Sequence, residues 1–545
     1  MAQKWIALGL LVCSSSSYAT TVSDCKPQQT TEKQFTVGKV EIIPNPIFDE
    51  SDPDTLAIHR FANWAHINTR PHVIAHRLTF KEGDQVTLQD LAEAERLVRA
   101  EPYLRDARIS LINGCENAET GEPVAVSVNT WDNWSLMPTI SFGRKGGKNK
   151  FSVGMKEDNF LGLGIATNLR YKRDEQRTGY HFAVGAPVTW MEHATIYTEL
   201  EDNDDGQRTQ LTFDKPFYEE STDTALFLNY VDDRRVEEVF QNDDTRNRYL
   251  FDGHNYEVSY GFLGSLQNHT SHRWRVGVTE DTANFSLPNG EPLENSVFLP
   301  RDRDFVYPWL EYEYRQFNYQ EMEDIYLINQ IEDINLGWLQ RLRVGIETQQ
   351  PASISGLGYH LRWHASKGTE WNHSLLLFSA DIKSDINVAE VDRNLVSAQL
   401  EYFQRASEGI GYYGRLTATE GSNQFADDPV ALGGESGVRG YPLQYQHGKH
   451  RISASAEARF YPNINVYKLF DVGFVGFVDA GRAWSGFESQ FNEYDGVLSS
   501  VGIGLRIYSN RSSHRNVVHM NFSKPLANAP SVDSWQWGLQ VKQTF

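Results

Sequence analysis

The sequence is poor in cysteine. Three occur among 545 residues, at Cys13, Cys25 and Cys115, which excludes a fold held together by a framework of disulfides. It also lacks any uninterrupted apolar stretch of about 18 residues, so no transmembrane helix is expected, and only a β-barrel could carry this chain across a bilayer. Excess basic charge is missing too. The 51 Lys and Arg against 72 Asp and Glu leave a net charge of −21, which argues against nucleic-acid binding. The acidic runs 201–205 and 241–244 lack the glycine and terminal glutamate of a calcium loop and read as solvated loops. Catalytic signatures are absent as well. There is no Gly-x-Ser-x-Gly elbow, no His-Glu-x-x-His helix and no phosphate loop, so neither enzymatic activity nor a cofactor is expected. His447 and His450, close to Lys449, read as solvent-facing loop residues rather than metal ligands.

What the chain does have is aromatic side chains, 12% of the residues, in a sequence whose mean hydropathy is −0.51. They are interleaved with charge throughout, which suits a wall with lipid on one side and water on the other. Lys4, the apolar run from Trp5 to Cys13 and the Ser-rich stretch to Ser17-Tyr18-Ala19 form a secretory signal over 1–19, cleaved after Ala19. A lipidated Cys13 is the alternative, with Val12 poorly suited to precede it. After a short segment, 20–33, the two remaining cysteines, Cys25 and Cys115, are expected to form a disulfide in an oxidising compartment. Two free thiols are the other reading.

Residues 34–130 read as a small α/β unit. Val40 and Ile42 alternate with Lys39 and Glu41, as a half-buried strand requires. Helical spacing follows in three places: Ile58, Phe61 and Ala65; Ile74 and Leu78; and, most clearly, Leu88, Leu91, Ala94 and Val98. Thr87 with Asp90 makes a capping box, and Pro102 marks the end of that helix. Ala107, Ile109 and Leu111, then Val124, Val126 and Val128, supply two further strands. Lys81-Glu82-Gly83-Asp84 before the capped helix and Pro102-Tyr103-Leu104 after it resemble a POTRA (polypeptide-transport-associated) domain. The stretch from Pro44 to Thr69 is an insertion relative to that pattern.

From 131 to 545 the period is two. Pro138 falls inside the first alternating run, and a proline cannot donate to a sheet ladder. If this run is the first strand of a barrel, its junction with the last should be the weakest in the wall. Along Val472 to Arg482, Phe474, Gly476, Val478 and Ala480 share one face while Phe477, Asp479 and Gly481 share the other. With lipid on the first face, Asp479 points into the lumen, where a lone carboxylate is costly. Arg439, between glycines on a loop spanning 424–450, can reach it bidentately, and Glu457 on the preceding strand completes the cluster. An arginine in a Gly-rich loop can also be merely solvated. The chain closes on Trp535, Trp537, Leu539, Val541 and Phe545.

Four features together resemble the BamA/TamA superfamily of outer-membrane insertases and transporters, which also includes two-partner secretion transporters. They are Val438-Arg439-Gly440-Tyr441, preceded by Gly434; Phe477-Val478-Asp479-Ala480-Gly481; Asp158-Asn159-Phe160-Leu161-Gly162-Leu163-Gly164; and the terminal strand. The resemblance implies an all-β transmembrane barrel of sixteen antiparallel strands, with five after the Arg-bearing loop. Five do follow it, near Ile452, Phe474, Val501, Val518 and Trp537. About fifteen alternating runs precede it rather than eleven; sixteen strands are expected, with the surplus runs as long loop hairpins or a larger barrel.

The resemblance further implies a structural lock of Arg439, Asp479 and Glu457, and a lateral seam at Pro138 and Phe545. It implies residence in the Gram-negative outer membrane, in contact with lipid and lipopolysaccharide, with the POTRA-like domain in the periplasm. The partners would be unfolded or exported polypeptides, with periplasmic chaperones or lipoproteins as accessories. Insertion or translocation of polypeptides is the function expected. A two-partner secretion transporter is the alternative, although such proteins normally carry two POTRA domains and a plug helix, and neither fits before Gln34. A passive pore comes third.

Overall fold

The computed structural model describes residues 20–21, 34–112, 122–145, 148–174, 176–288, 299–351, 353–434, 436–513 and 516–543. The leader, both cysteines of the expected disulfide and Phe545 of the expected seam lie outside the described residues.

The α/β unit contains β1 (Thr20–Thr21), β2 (Phe35–Asn45), α1 (Ala57–Ala65), α2 (Pro71–Ala75), β3 (Gln85–Val86), α3 (Leu88–Arg99), β4 (Leu104–Leu111) and β5 (Val124–Asp132). Its sheet runs β1-β4-β5-β2-β3, with β2 parallel to β5. A parallel pair needs a crossover, and the helices supply it. α3 opens on the capping box: the Asp90 amide donates to Thr87 Oγ1 at 3.2 Å, and the Thr87 amide donates to Asp90 Oδ2 at 2.7 Å. Its stripe of Leu88, Leu91, Ala94 and Val98 is buried with Ile74, Leu78, Ile109, Val126 and Val128.

α1 forms where the spacing predicts a helix but buries the opposite side. Ile58, Phe61 and Ala65 are exposed, Trp64 is 80% exposed, and the buried residues are His59 and Ala62. The cause is tertiary. His59 Nε2 donates to the Tyr467 carbonyl at 2.7 Å and Asp52 pairs with Lys468 at 2.7 Å. Ile47, Phe48 and Ala62 pack with Trp134 and Leu469. The 44–69 insertion is therefore a clamp onto the barrel, and its helix is oriented by that contact rather than by its own apolar stripe.

The wall begins with β6 (Leu136–Lys145), β7 (Lys148–Glu157), β8 (Ala166–Arg173), β9 (Thr178–Pro187) and β10 (Thr195–Asn203). β11 (Gly206–Lys215), β12 (Thr224–Gln241), β13 (Asp244–Gln267), β14 (Thr270–Ser286) and β15 (Arg303–Gln316) follow. A hairpin of β16 (Tyr319–Glu323) and β17 (Ile331–Asn335) stands outside the wall. β18 (Leu339–Glu347), β19 (Gly358–Trp371), β20 (Ser374–Ile386), β21 (Arg393–Ser407) and β22 (Ile410–Ser422) continue it. The short pair β23 (Ala431–Leu432) and β24 (Gln446–His447) lies within the next loop. β25 (His450–Val466), β26 (Phe470–Trp484), β27 (Leu498–Ser509), β28 (Asn516–Pro525) and β29 (Gln536–Gln543) complete the barrel.

Among the described residues twenty antiparallel strands close the ring, not sixteen. Five follow the Arg-bearing loop and fifteen precede it. The surplus alternating runs are wall strands rather than loop hairpins, each pairing with its neighbours on both sides. Alternation counted correctly; the number implied by the resemblance did not. Outward positions are apolar on strand after strand, as at Leu169, Leu211, Val258, Val276, Leu310, Val344, Phe474, Val478 and Ile503. Inward positions carry charge and hydrogen-bonding groups, such as Arg273, Glu311, His360, Glu457, Asp479 and Arg506.

Closure is uneven. β6 pairs with β7 along its length, with Pro138 opposite Met155, but among the described residues it meets β29 through one registered pair, Leu539 with Arg144. The adjoining β28–β29 ladder runs from Asn516–Gln543 to Ser523–Gln536.

Candidate functional site: a lumenal Arg439 cluster, a cap and an inward hairpin

Arg439 enters the lumen from the loop between β22 and β25. Its Nε and Nη2 donate to the two oxygens of Asp479, both at 2.7 Å, and its own amide donates to Asp479 Oδ2 at 3.1 Å. Nη1 donates to Glu457 at 2.7 Å, and Nη2 also donates to Ser455 Oγ at 2.9 Å. Ser455 in turn donates to Asp479 at 2.6 Å. The guanidinium lies 3.6 Å from the centre of the Phe477 ring. Asp479 is 0% exposed, so its charge is compensated here or nowhere.

Three successive inward residues of β26 are used. Phe477 stacks on the guanidinium, Asp479 binds it, and Gly481 leaves the room in which Val438 sits; a Cβ there would meet the Ile452 carbonyl at 2.8 Å and Val438 Cγ2 at 3.0 Å. The motif Phe-x-Asp-x-Gly is thus one face of a strand shaped to a loop. Gly440 has φ +91 and presses against Ser523 and Pro525, a backbone geometry that favours glycine. Tyr441, fully buried, donates its hydroxyl to the Ser499 carbonyl at 2.7 Å and accepts from the Ser499 amide at 3.1 Å. Val438 and Tyr441 pack with Leu432, Tyr445, Ala483 and Leu498, while Gly434 hydrogen-bonds back to Pro442.

Three participants carry no motif: Ser455, Arg459 and Arg506. Arg459 Nε donates to Glu457 at 3.0 Å, and Arg506 approaches the same carboxylate at 3.7 Å. The available signal was parity, since Ser455, Glu457 and Arg459 share the polar face of β25 and Arg506 the polar face of β27.

The far rim of the barrel is capped. The β12–β13 tip crosses to the inward loop, where the Phe240 amide donates to Gln444 Oε1 at 3.0 Å and the Asn242 amide to the Tyr445 carbonyl at 3.2 Å. His447 Nε2 donates to the Phe240 carbonyl at 2.8 Å. Contrary to the solvent-facing expectation, His447 is buried, because the cap covers it, and burial pushes its pKa down to about 4. His450 is half-buried beside Trp484, ring centres 5.5 Å apart.

The near rim receives both the α/β unit and the β16–β17 hairpin. Asp158-Asn159-Phe160-Leu161-Gly162 is the junction: Asn159 Nδ2 donates to Thr69 Oγ1 at 2.8 Å, Thr69 donates to the buried Asp132, and Arg70 donates to the Leu161 and Gly162 carbonyls. The hairpin points into the lumen. Leu327 and Ile328 at its tip pack with Tyr461, Tyr508 and Val517, on β25, β27 and β28. In the ring of twenty, β28 is eight strands from β18 and nine from β15, so this contact spans the lumen. Between the inward loop and the hairpin lies a cavity of about 860 Å³ lined by Tyr326, Ile334, Arg439, Glu457, Arg506 and His519, among others.

Among the described residues, His181, Glu199 and Glu201 are close enough to share a cation. Lys172 already pairs with Glu201 at 2.6 Å and Arg208 with Glu199, so the cluster is an ion-pair network on the inner wall.

No protein-family model matches the chain, and comparison with curated proteins found no match. Solved structures it is similar to include BamA from Haemophilus ducreyi lacking POTRA domains 1–3, at 13% identity and a TM-score of 0.42 over 93% of this chain and 85% of that one. CdiB from Acinetobacter baumannii matches at 14% identity and a TM-score of 0.46, over 93% of this chain and 74% of that one. CdiB from Escherichia coli matches at 9% identity and a TM-score of 0.40, over 96% and 93%. The class of the protein is defined by its own strand pairing: a closed twenty-stranded barrel with an α/β unit docked at one rim and an arginine-bearing loop tied inside.

Proposed function

We propose that this chain is an outer-membrane protein of the BamA/TamA kind that inserts polypeptides into the Gram-negative outer membrane or passes them across it. The belt of outward apolar side chains supports the membrane assignment, since exposed apolar surface on that scale has no place in water. The α/β unit then lies in the periplasm and offers a sheet edge to extended substrate. Lipid and lipopolysaccharide surround the barrel, and chaperones or lipoproteins would act from the periplasmic side. The observation that carries the reading is the seam: among the described residues the wall closes between β6 and β29 through one registered pair, Leu539 with Arg144. A passive pore has no use for such a seam or for a lumen filled from both ends.

Joining Arg144→Cys to Leu539→Cys, with Cys25 and Cys115 replaced by serine, tests the seam. The probe is a urea-unfolded outer-membrane barrel polypeptide added to proteoliposomes holding the full chain. Reduced protein is expected to speed its folding severalfold, and the disulfide to remove that gain. Equal acceleration in both states sinks the lateral route and moves the reading to passage through the lumen, as in two-partner secretion. No acceleration in either state sinks insertion itself.

A further inference from the structure

The β16–β17 hairpin has no counterpart in the features so far assigned a role, and its contacts run in two directions. At its base, Arg99 of α3, 5% exposed, reaches Glu321 at 3.0 Å and Asp333 at 3.6 Å, while the Arg96 guanidinium lies 3.9 Å from the centre of the Tyr319 ring. At its tip, the Ile325 carbonyl accepts from Arg459 at 2.9 Å and Tyr326 donates to Glu401 at 3.1 Å. Arg459 is the residue that also binds Glu457 of the lock. One continuous path therefore joins the α/β unit to Arg439: Arg99, the hairpin, Arg459, Glu457.

The hairpin is braced from within. The Glu332 carboxylate accepts from the amides of Ile325, Tyr326 and Leu327 at 3.0 to 3.2 Å, and Asp324 accepts from the Asn329 amide at 2.8 Å. The tip thus satisfies part of its own backbone, the amides of Ile325, Tyr326, Leu327 and Asn329, from within. A two-stranded ribbon is only marginally stable alone, so its placement depends on what grips its ends. α3 grips its base through Arg99, a buried guanidinium shared among carboxylates and costly to strip of its partners, while the wall holds the tip side through Arg405, 3.3 Å from Glu323 and 3.0 Å from Asp324.

We propose that the β16–β17 hairpin is a plug of the near mouth of the barrel, latched to the α/β unit through Arg99, and that displacement of that unit withdraws it. The proposal rests on the barrel-in-membrane reading only for its conductance arm. Substrate engaging the α/β unit would then open the lumen and, through Arg459, loosen the lock in the same movement.

The test uses the full chain with Cys25 and Cys115 replaced by serine and Ile328→Cys introduced. Labelling of this buried site by a bulky maleimide is expected to be at least tenfold faster in Arg99→Glu than in its parent. The charge-reversed combination Arg99→Glu with Glu321→Arg and Asp333→Arg is expected to restore slow labelling, which general loosening would not do. Equal rates in parent and Arg99→Glu overturn the latch, and so does failure of the reversal to restore protection. In planar bilayers Arg99→Glu is expected to conduct more than the parent. A disulfide between Leu327→Cys and Val517→Cys should close it, and a reductant should reopen it. Conductance unchanged by latch or disulfide overturns the plug. Failure of every variant to enter a bilayer overturns the membrane reading instead and leaves the latch to be decided by labelling.

Discussion

At the scale of the residue, Arg439 owes its place to the shape of guanidinium. It makes a bidentate pair with Asp479, single bonds to Glu457 and Ser455, and a stack on Phe477. A lysine ammonium is a point charge with three donors and cannot do all of these. Arg439→Ala leaves the buried Asp479 without its guanidinium and takes one of the three arginines from Glu457, and it is expected to destabilise the barrel by roughly 3–5 kcal/mol. Arg439→Lys should fall between the two, keeping charge compensation but losing the fork and the stack. Urea midpoints of the folded band on unheated gels check the order: wild type, lysine, alanine. A lysine variant as stable as wild type would show that charge alone holds the loop. These partners were legible in the sequence because parity puts Phe477, Asp479 and Gly481 on one face of a strand. Ser455, Arg459 and Arg506 were not, since a polar inward position becomes a partner only when the loop is placed.

At the scale of the element, the wall could be read and the things that fill it could not. Alternation over β26 or β27 states both that there is a strand and which way each residue faces. The β16–β17 hairpin alternates over too few residues to differ from a wall strand, and what turns it inward lies far off, as with Tyr326 and Glu401, 75 residues apart. α1 misled for a related reason, its orientation being set by Tyr467 and Lys468 some 400 residues downstream. The far-rim cap is another such element, and His447 makes it pH-sensitive. Burial, aided by Arg246, lowers its pKa from an ordinary 6.5 to about 4. The docked cap therefore excludes a proton that the open form accepts. Docking is complete above about pH 6.5 and weakens as the pH falls toward 4. Amide exchange over 238–245, corrected for intrinsic rate, should rise on going from pH 7 to 5 in wild type and stay flat in His447→Gln. A wild-type cap equally protected at both values sinks this account.

At the scale of the whole molecule, what matters is how firmly the α/β unit sits on the barrel, because α3 carries both the hairpin contact and the docking contact. The docking contact contains an acidic pair. The Glu220 amide, on the near-rim turn after β11, donates to Glu93 Oε1 at 3.0 Å, and burial followed by the neighbouring Glu220 charge raises the Glu93 pKa from 4.5 to about 7. The docked state therefore holds a proton that a separated Glu93 gives up. Docking is strongest below about pH 4.5 and loses this contribution as the pH rises through 7. Replacing Glu93 with glutamine keeps an acceptor for the Glu220 amide and removes the charge. Exchange of the 217–223 amides should therefore increase from pH 6 to pH 8 in wild type, beyond the intrinsic rate, and Glu93→Gln should hold it at the low-pH level. A wild-type profile flat over that window would mean the acidic pair is relieved by solvent, and that Arg99, the Asn159–Thr69 junction and the His59 and Asp52 clamp fix the unit in place without it.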